Sequence, residues 1–373
     1  MRARTSRAAV LTAPYTLEIH DVPLPEIGED DALLRVEVCG ISGSDVHKFG
    51  RDVEPFILGH EPVGTIEAIG PVASQRWGVQ AGDRVGVEPA LRCGKCAACR
   101  AGENMGCTDT RLQGLSVRAH ASLPLSLEPR LWGGCAEYMY LDRDAMVHKV
   151  PDGVLLAEAA LLNPLASAIE WSVLVPETRM GADVVVLGAG QRGLLCVAAL
   201  REAGAGTIVV TGLRRDAHKL EVALKLGADR VVCVEDEDVF DAVSDATGGT
   251  MADVVIDVTP NATQPIVDAI RVVKRGGTII LAGVKWGKEV PGFVSDQLVI
   301  RHITMRGVQA ASSDSFAMAM RVLERGRHPL HLLHSHSFPL DRAADAIRTL
   351  SGELDDGTPA ISVTINPSME VRA

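Results

Sequence analysis

Four cysteines lie close together in the sequence and have the spacing of a metal site. Cys93, Cys96 and Cys99 are each separated by two residues, and Cys107 follows eight positions after the third. Structural zinc sites are tetrahedral, and a site closed by four thiolates has no position left for substrate. We therefore expect one structural zinc ion per chain here. The other cysteines lie far apart, which argues against a disulfide framework: Cys39, Cys135, Cys196 and Cys233.

A glycine-rich segment connects a predicted strand to a segment with helical periodicity. It reads Gly188-Ala189-Gly190-Gln191-Arg192-Gly193 and follows the apolar run Asp183–Leu187. In a dinucleotide-binding turn the first glycine allows the tight turn, the second lets the backbone approach the pyrophosphate, and the third lets helix and strand pack closely. The amino end of the helix then faces the negative charge. Because the strand precedes and the helix follows, we expect this turn to bind a dinucleotide cofactor.

The end of the next predicted strand indicates which dinucleotide is bound. In such units an acidic residue at this place binds the ribose of NAD, whereas a nearby arginine accommodates the 2′-phosphate of NADP. Here the strand is followed by Gly212, Arg214 and Arg215. The alternative is that the two arginines form a solvated pair on a loop, with Asp216 neutralising one of them. The sequence favours NADP(H).

Two kinds of sequence pattern must position these residues. The first 150 residues contain short alternating segments between turn residues, such as Leu33–Val38, Gly64–Ile69 and Arg84–Val87, which predicts a β-rich domain. From about Leu155, apolar runs alternate with helix-period segments, which is typical of a doubly wound parallel sheet. The predicted strands are Asp183–Leu187, Thr207–Thr211, Arg230–Val232, Asp253–Asp257 and Thr278–Leu281, with a last one at Ala360–Ile365. The predicted helices are Gly193–Ala203, Ala217–Leu226, Asp238–Ala246, Thr263–Val273, Phe316–Glu324 and Arg342–Leu350.

Composition and charge exclude several classes of protein. The 373 residues carry 37 basic and 48 acidic side chains, a net charge of -11, which argues against nucleic-acid binding. The arginine-containing amino terminus is followed by polar residues, so no signal peptide is predicted. No apolar run approaches the roughly 18 residues of a membrane span. We expect a soluble, cytoplasmic, α/β protein of about two domains.

The chain resembles the zinc-type medium-chain dehydrogenases/reductases, the group of alcohol, sorbitol and threonine dehydrogenases, over essentially its whole length. Besides the cysteine cluster and the glycine-rich turn, the resemblance rests on four segments: Gly40–His47, Gly59–Glu61, Ala81–Val85 and Gly133–Tyr138. It implies a GroES-like β-rich catalytic domain with a structural-zinc lobe over residues 1–163 and a Rossmann NADP-binding domain over 164–304. Residues 305–373 would return to the catalytic domain. It also implies a small-molecule substrate and a homodimer or homotetramer.

The chain departs from this family at the catalytic zinc. The family's ligands are a cysteine where this chain has Ser42, the histidine at His60, and a cysteine or glutamate where this chain has Asn163. Hydroxyl and amide oxygens are poor zinc donors beside thiolates and carboxylates. We therefore expect the catalytic zinc to be lost, with only His60 and Glu61 retained. Cys39 lies at an odd offset from Ser42, on the opposite face of a strand, and is not expected to replace it.

Four side chains remain for acid–base chemistry. The resemblance gives Ser44 and His47 the family's proton-relay positions, whereas each could alternatively be a turn-forming hydroxyl or a surface imidazole. His60 and Glu61 are further acid–base candidates, or a retained ligand pair held by packing. The leading hypothesis is NADP(H)-dependent interconversion of carbonyl and alcohol on a small polar substrate. The alternatives are reduction of a conjugated carbon–carbon double bond and a non-catalytic NADPH-binding protein.

Two further segments stay outside this assignment. The first is a histidine cluster that consists of His328, His331, His334 and His336. Pro329 interrupts it, and Ser337–Leu340 after it is predicted to be a loop that enters a helix. Metal binding is therefore not expected there. The segment Leu115–Leu131 looks long for the family and is either a substrate-covering or subunit-contacting loop or a neutral insertion.

Overall fold

The computed structural model describes residues 5–101, 106–108 and 119–369. The chain divides into two units. Unit 1 consists of Met1–Asn163, Ser312–Arg325 and His334–Ala373, and unit 2 consists of Pro164–Ala311 and Gly326–Leu333. Within the described ranges, no helix is long and apolar enough to cross a lipid bilayer.

The elements are numbered along the chain. The strands are β1 (Thr5–Ala13), β2 (Thr16–Pro23), β3 (Ala32–Ile41), β4 (Phe56–Ile57), β5 (Glu61–Ile69), β6 (Arg84–Val87), β7 (Tyr138–Leu141), β8 (Val147–Lys149), β9 (Val184–Leu187), β10 (Ile208–Gly212), β11 (Arg230–Cys233), β12 (Ala252–Asp257), β13 (Val273–Leu281), β14 (Thr304–Gly307), β15 (His334–Pro339) and β16 (Ser362–Asn366). The α-helices are α1 (Gly43–Phe49), α2 (Pro71–Trp77), α3 (Ala97–Arg100), α4 (Leu156–Ala159), α5 (Leu162–Ile169), α6 (Gln191–Glu202), α7 (Ala217–Leu226), α8 (Val239–Ala246), α9 (Gln264–Val272), α10 (Asp296–Arg301), α11 (Ser313–Arg325) and α12 (Ala343–Ser351).

Unit 1 is built on two sheets. One has the strand order β2-β1-β4, and the other has the order β15-β16-β3-β5-β6-β8, with β7 also pairing with β3. The antiparallel pairing of β3 with β5 sets Gly40 opposite Glu61. The turn that follows β3 therefore lies beside the first residues of β5, and this is how the sheet gathers the predicted acid–base residues.

Unit 2 is a parallel sheet with the strand order β11-β10-β9-β12-β13-β14. This is the order of the doubly wound dinucleotide-binding fold, in which ligands bind at the carboxyl ends of the strands where the order reverses. All four residues of β9 are buried, as expected for a strand covered on both faces. The five strands predicted for this region are β9 to β13, and the predicted α/β class, with a β-rich part and a doubly wound parallel sheet, is confirmed.

The structure differs from the sequence prediction at the boundary of unit 2. Strand β14 pairs in parallel with β13, with Thr278 opposite Thr304, and the sequence analysis did not identify it. Since this pairing extends the sheet, residues up to Ala311, and Gly326–Leu333, belong to unit 2 and not to the predicted return segment 305–373.

The prediction of a loop at Ser337–Leu340 is also wrong. Residues up to Pro339 form β15, which pairs in parallel with β16, and one 3-10 turn at Leu340–Arg342 then leads into α12. The polar residues of this strand resemble a loop in sequence, but β16 offers a hydrogen-bonding edge that local sequence does not reveal.

Candidate active site

Ser42 ends the turn after β3 and caps the short helix α1. Its hydroxyl oxygen accepts a hydrogen bond from the Ser44 backbone N–H at 3.2 Å, and its own backbone N–H donates to the Asp45 carboxylate at 2.9 Å. This is a reciprocal capping box, which satisfies backbone donors at the helix start. The capping box fixes the position of Ser42, the residue that the resemblance matches to a zinc ligand.

A chain of hydrogen bonds connects Ser44 with Asp45. The hydroxyl oxygens of Ser42 and Ser44 are 2.8 Å apart, and the Ser42 hydroxyl is 2.9 Å from Asp45 Oδ2. An ionised carboxylate only accepts hydrogen bonds. The Ser42 hydroxyl therefore donates to Asp45, and the Ser44 hydroxyl donates to Ser42. Because Ser44 is exposed at the end of this chain, the lone pairs of its hydroxyl oxygen can accept a hydrogen bond from a substrate.

Asp45 also faces His60. Asp45 Oδ1 is 3.4 Å from His60 Nδ1, and the Asp45 side chain is completely buried. Burial alone would raise the pKa of Asp45, but the facing His60, the charge of Lys48 and the Ser42 backbone N–H outweigh it and hold the pKa well below its usual range. Asp45 is therefore ionised at neutral pH. Sequence reasoning missed it, although Ser and Asp three residues apart are a recognisable capping signal.

Glu61 lies on the other side of the imidazole. Its Oε1 is 3.8 Å from His60 Nε2, and its side chain is buried. A Cβ atom on Gly40 would stand 2.5 Å from Glu61 Oε2 and 3.5 Å from the carbonyl oxygen of Ala160. Glycine at position 40 therefore makes the room that the Glu61 carboxyl group occupies, and the structure brings Ser42, Asp45, His60 and Glu61 into one cluster.

His47 occupies a different position on α1. Its Nε2 is 3.4 Å from Arg51 Nη1, and partial burial together with the Arg51 charge lowers the pKa of His47. The imidazole is therefore mostly neutral at neutral pH and able to accept a proton. His47 is three residues from Ser44, so the two lie on one face of the helix.

Cys39 is turned toward another cysteine. Its thiol is fully buried, and burial followed by a hydrogen bond with Cys135 raises the pKa of Cys39 well above its usual value. A Cβ atom on Gly59 would be 2.6 Å from the Cys39 sulfur and 2.7 Å from the Cys135 sulfur. The two thiols therefore pack together over this glycine.

The four cysteines of the predicted structural site are gathered in one place. All four sulfur atoms lie within 4.8 Å of one another, and those of Cys93 and Cys99 are 4.0 Å apart. Tetrahedral zinc with bonds of about 2.3 Å separates its sulfur ligands by about 3.8 Å. The backbone N–H groups of Cys96 and Cys99 donate to the sulfurs of Cys93 and Cys96, each at 3.4 Å. The donor set and its spacing fit a zinc ion.

The glycine-rich turn of unit 2 has room for a ligand at one position. A Cβ atom on Gly190 would meet no atom within 4 Å, whereas one on Gly193 would overlap the carbonyl oxygen of Gly188. Gly190 is the N-cap of α6 and provides no side-chain cap for the first backbone N–H groups of the helix. Gly193 thus allows close packing, and Gly190 leaves open space in front of a helix amino end, which fits a pyrophosphate.

Three arginines follow strands β9 and β10 of unit 2 in sequence. The Arg192 guanidinium, which follows Gln191 in the first turn of α6, lies 5.8 Å from the centre of the Trp171 ring. After β10, Arg214 Nε donates to Asp236 Oδ1 at 3.0 Å. Arg215 is exposed and forms no ion pair with any residue that the structure describes. Of the two predicted NADP-binding arginines, Arg214 is thus held by an acidic partner.

The histidines of the carboxyl-terminal cluster have separate partners. His328 Nε2 is 3.3 Å from Glu202, His334 Nε2 is 3.1 Å from the Ser337 hydroxyl, and His336 Nε2 is 3.3 Å from Asp356, while His331 lies in a 3-10 turn. Among the described residues, metal-ligating groups of three or more converge at the four cysteines alone.

The described part of the long segment packs on unit 1. Lys48 Nζ donates to the Ala121 carbonyl oxygen at 2.8 Å and to the Ser122 hydroxyl at 2.9 Å. The Leu125 backbone N–H donates to the Pro55 carbonyl oxygen at 2.7 Å. Residues 115–118 of this segment lie outside the described residues.

Comparisons with known proteins agree with this architecture. Residues 28–152 match the family model of the alcohol dehydrogenase GroES-like domain, and residues 193–325 match that of the zinc-binding dehydrogenases. A Mycobacterium tuberculosis protein named a probable alcohol dehydrogenase is 42% identical over 366 residues, which cover 97% of this chain and 98% of the relative. The sorbitol dehydrogenase of Bacillus subtilis is 32% identical over 76% of this chain and 77% of its own length.

Solved structures show the same fold. A Sinorhizobium meliloti protein described as a zinc-binding dehydrogenase, and solved with NADP, has 26% identity and a TM-score of 0.83 over 98% of this chain and 100% of its own. An alcohol dehydrogenase of Thermotoga maritima has 25% identity and a TM-score of 0.86 over 98% and 100%. The chain belongs to the zinc-type medium-chain dehydrogenase/reductase family and is an oxidoreductase.

Proposed function

We propose that this oxidoreductase interconverts carbonyl and alcohol groups on a small polar substrate with NADP(H), and that it uses one structural zinc ion and no catalytic zinc ion. The observation that carries the proposal is the hydrogen-bonded chain from Ser44 through Ser42 to Asp45, which faces His60. By the resemblance, these residues correspond to part of the family's catalytic metal site, and their side chains can donate and accept protons.

Ser44 is the proposed proton donor and acceptor. A catalytic zinc ion acts as a Lewis acid on the substrate oxygen, and without it the developing charge must be met by hydrogen-bond donors. In alcohol oxidation the exposed Ser44 oxygen accepts the alcohol proton as its own hydroxyl proton passes to His47, and Ser42 and Asp45 orient the Ser44 hydroxyl. In carbonyl reduction the Ser44 hydroxyl rotates and donates to the substrate oxygen. His47, one helical turn away, exchanges the proton with solvent.

Unit 2 is proposed to hold NADP(H). The cofactor supplies or takes up the hydride at C4 of its nicotinamide ring. Gly190 and the open amino end of α6 would hold the pyrophosphate, Gln191 and Arg192 flank it, and Gly188 and Gly193 shape the turn. Beside Gly212, Arg215 would bind the 2′-phosphate, with Arg214 as a weaker contributor because of its pairing with Asp236.

The structural zinc and the assembly are part of the proposal. Cys93, Cys96, Cys99 and Cys107 would hold one zinc ion, which cross-links their loop and adds to folding stability. We also propose a homodimer or homotetramer. The support is in unit 2, where β14 is the edge strand of the sheet and Val299 and Ile300 just before it are 76% and 62% exposed. An open strand edge beside apolar side chains is a surface that proteins usually cover.

The test combines zinc content with substrate class. We expect one zinc atom per chain and NADPH-dependent reduction of small ketones that survives a chelator. Ser44→Ala should lower kcat for a ketone by about 10²–10³-fold, whereas Ser351→Ala, an exposed serine on α12, should not. Matched enones distinguish double-bond reduction, which should depend less on Ser44. If NADPH is not oxidised in the presence of either ketones or enones, a binding protein is favoured. If a chelator abolishes activity and added zinc restores it, the metal-free site is refuted.

A further inference from the structure

Asn163 is a buried amide that stands in the first turn of α5. Its side chain is 7% exposed, and its Nδ2 has no hydrogen-bond partner among the residues that the structure describes. A buried amide N–H without an acceptor loses its hydration and gains nothing in return. Native proteins satisfy most such groups, so a buried N–H without a partner in the chain calls for an acceptor from outside it, such as a ligand or an ordered water.

The residues just before Asn163 in sequence pack beside the acid–base cluster. The carbonyl oxygen of Ala160, three residues earlier, is 3.5 Å from the place of a Cβ on Gly40, and Gly40 pairs with Glu61. The neighbouring Leu162 packs so closely on Gly86 of β6 that a Cβ there would overlap its side chain. The start of α5 is therefore held against the sheet near Gly40, which lies two residues before Ser42.

The amide has the chemistry of an oxygen-binding group and not of a metal ligand. An amide nitrogen is a hydrogen-bond donor and has no lone pair to offer a metal. A preorganised N–H in a buried site stabilises negative charge that develops on an oxygen, as in an oxyanion hole. A carbonyl oxygen is thus the acceptor that the Asn163 donor fits.

We propose that Asn163 donates a hydrogen bond from Nδ2 to the carbonyl oxygen of the substrate and replaces the metal as the group that polarises it. In reduction the carbonyl carbon gains a hydride from NADPH, which leaves as NADP⁺, and the π electron pair of the carbonyl moves to oxygen. The oxygen then takes the Ser44 hydroxyl proton, which solvent restores through His47. This inference rests on the proposed carbonyl–alcohol function and makes Asn163 a catalytic residue.

The experiment compares Asn163→Leu and Asn163→Asp with Ser167→Ala, a control at a buried serine one turn further along α5. Leucine removes the donor, whereas aspartate keeps the shape and presents an acceptor to the oxyanion, so one variant remains informative if the other fails to fold. With hydroxyacetone and NADPH, both Asn163 variants should lose about 10²–10³-fold in kcat. The control should stay within a few-fold of the unmodified protein.

A spectroscopic measurement separates polarisation from a structural effect. When NADP⁺ replaces NADPH, the ketone of bound carbonyl-labelled hydroxyacetone cannot be reduced. Its infrared carbonyl stretch should lie at lower frequency in the unmodified protein and in Ser167→Ala than in water. Asn163→Leu should abolish that shift. If the unmodified protein reduces hydroxyacetone and Asn163→Leu keeps both the rate and the shift, the role of Asn163 is refuted and the proposed function stands. If the unmodified protein reduces no ketone with NADPH, the proposed function itself fails.

Discussion

Arg215 and Arg214 are adjacent, yet their loss should affect cofactor binding very differently. Arg214 donates from its side chain to Asp236 at 3.0 Å, and its backbone N–H donates to Glu235 at 2.6 Å. Arg215 is exposed and has no such partner among the described residues. An arginine already paired with a carboxylate must exchange that partner for the 2′-phosphate, whereas an unpaired one gains the new contact outright.

The magnitudes follow from this difference. A hydrogen bond to a charged group is worth roughly 1.5–3 kcal/mol, which is about tenfold to a hundredfold in Kd. Arg215→Ala should weaken NADPH binding by that factor and leave NADH little changed. Arg214→Ala should weaken NADPH binding by a smaller factor. Exposed ion pairs contribute little to stability, so Asp236→Asn, which frees Arg214, should tighten NADPH binding by no more than a few-fold.

Fluorescence titration of NADPH and NADH into the three variants measures these effects. Arg275→Ala is the matched control, because Arg275 lies near the start of β13, away from the carboxyl ends of the strands, and bonds to the Ile300 carbonyl oxygen. Equal affinity of the unmodified protein for NADPH and NADH would refute the NADP assignment. A larger loss in Arg214→Ala than in Arg215→Ala would refute the assignment of the phosphate contact to Arg215.

Three further predictions concern metal and pH. Cys96→Ser should release the zinc ion and lower the melting temperature, as metal analysis and thermal unfolding would show; retention of zinc would contradict the four-cysteine site. The double variant Ser42→Cys/Asn163→Cys should raise the zinc content from one atom per chain to two and make activity sensitive to chelators, and an unchanged content would mean that more than two ligands are missing. Burial lowers the pKa of His120 to about 4. Below about pH 6.5 the unfolded chain therefore binds a proton at His120 that the folded chain does not bind. The free energy of unfolding should fall by about 2 kcal/mol between pH 7 and pH 5 for this reason. His120→Gln should remove that part of the pH dependence, as measured by urea unfolding.

Local sequence was sufficient for the elements with a strong periodic pattern. Strands β9 to β13 each contain a short apolar run. The turn from Gly188 to Gly193 has a spacing that serves one geometry. Both could therefore be predicted from local sequence alone. The four cysteines likewise belong to one loop region, and their spacing alone predicts the cluster that the structure shows. Strands β14 and β15 could not be predicted in this way, because each is defined by the edge of a neighbouring strand.

The tertiary structure decided which of the chemically capable residues work together. The antiparallel register of β3 and β5 places Gly40 opposite Glu61 and so brings His60 to Asp45, which are 15 positions apart in sequence. The parallel register of β10 and β11 sets Gly212 opposite Cys233, and the residues that follow each strand, Arg214 and Asp236, therefore meet. Residue type and spacing determined what chemistry each segment offers. Strand register, which depends on long-range hydrogen bonds and on the burial of one face, determined which groups face each other and which arginine is paired with a carboxylate.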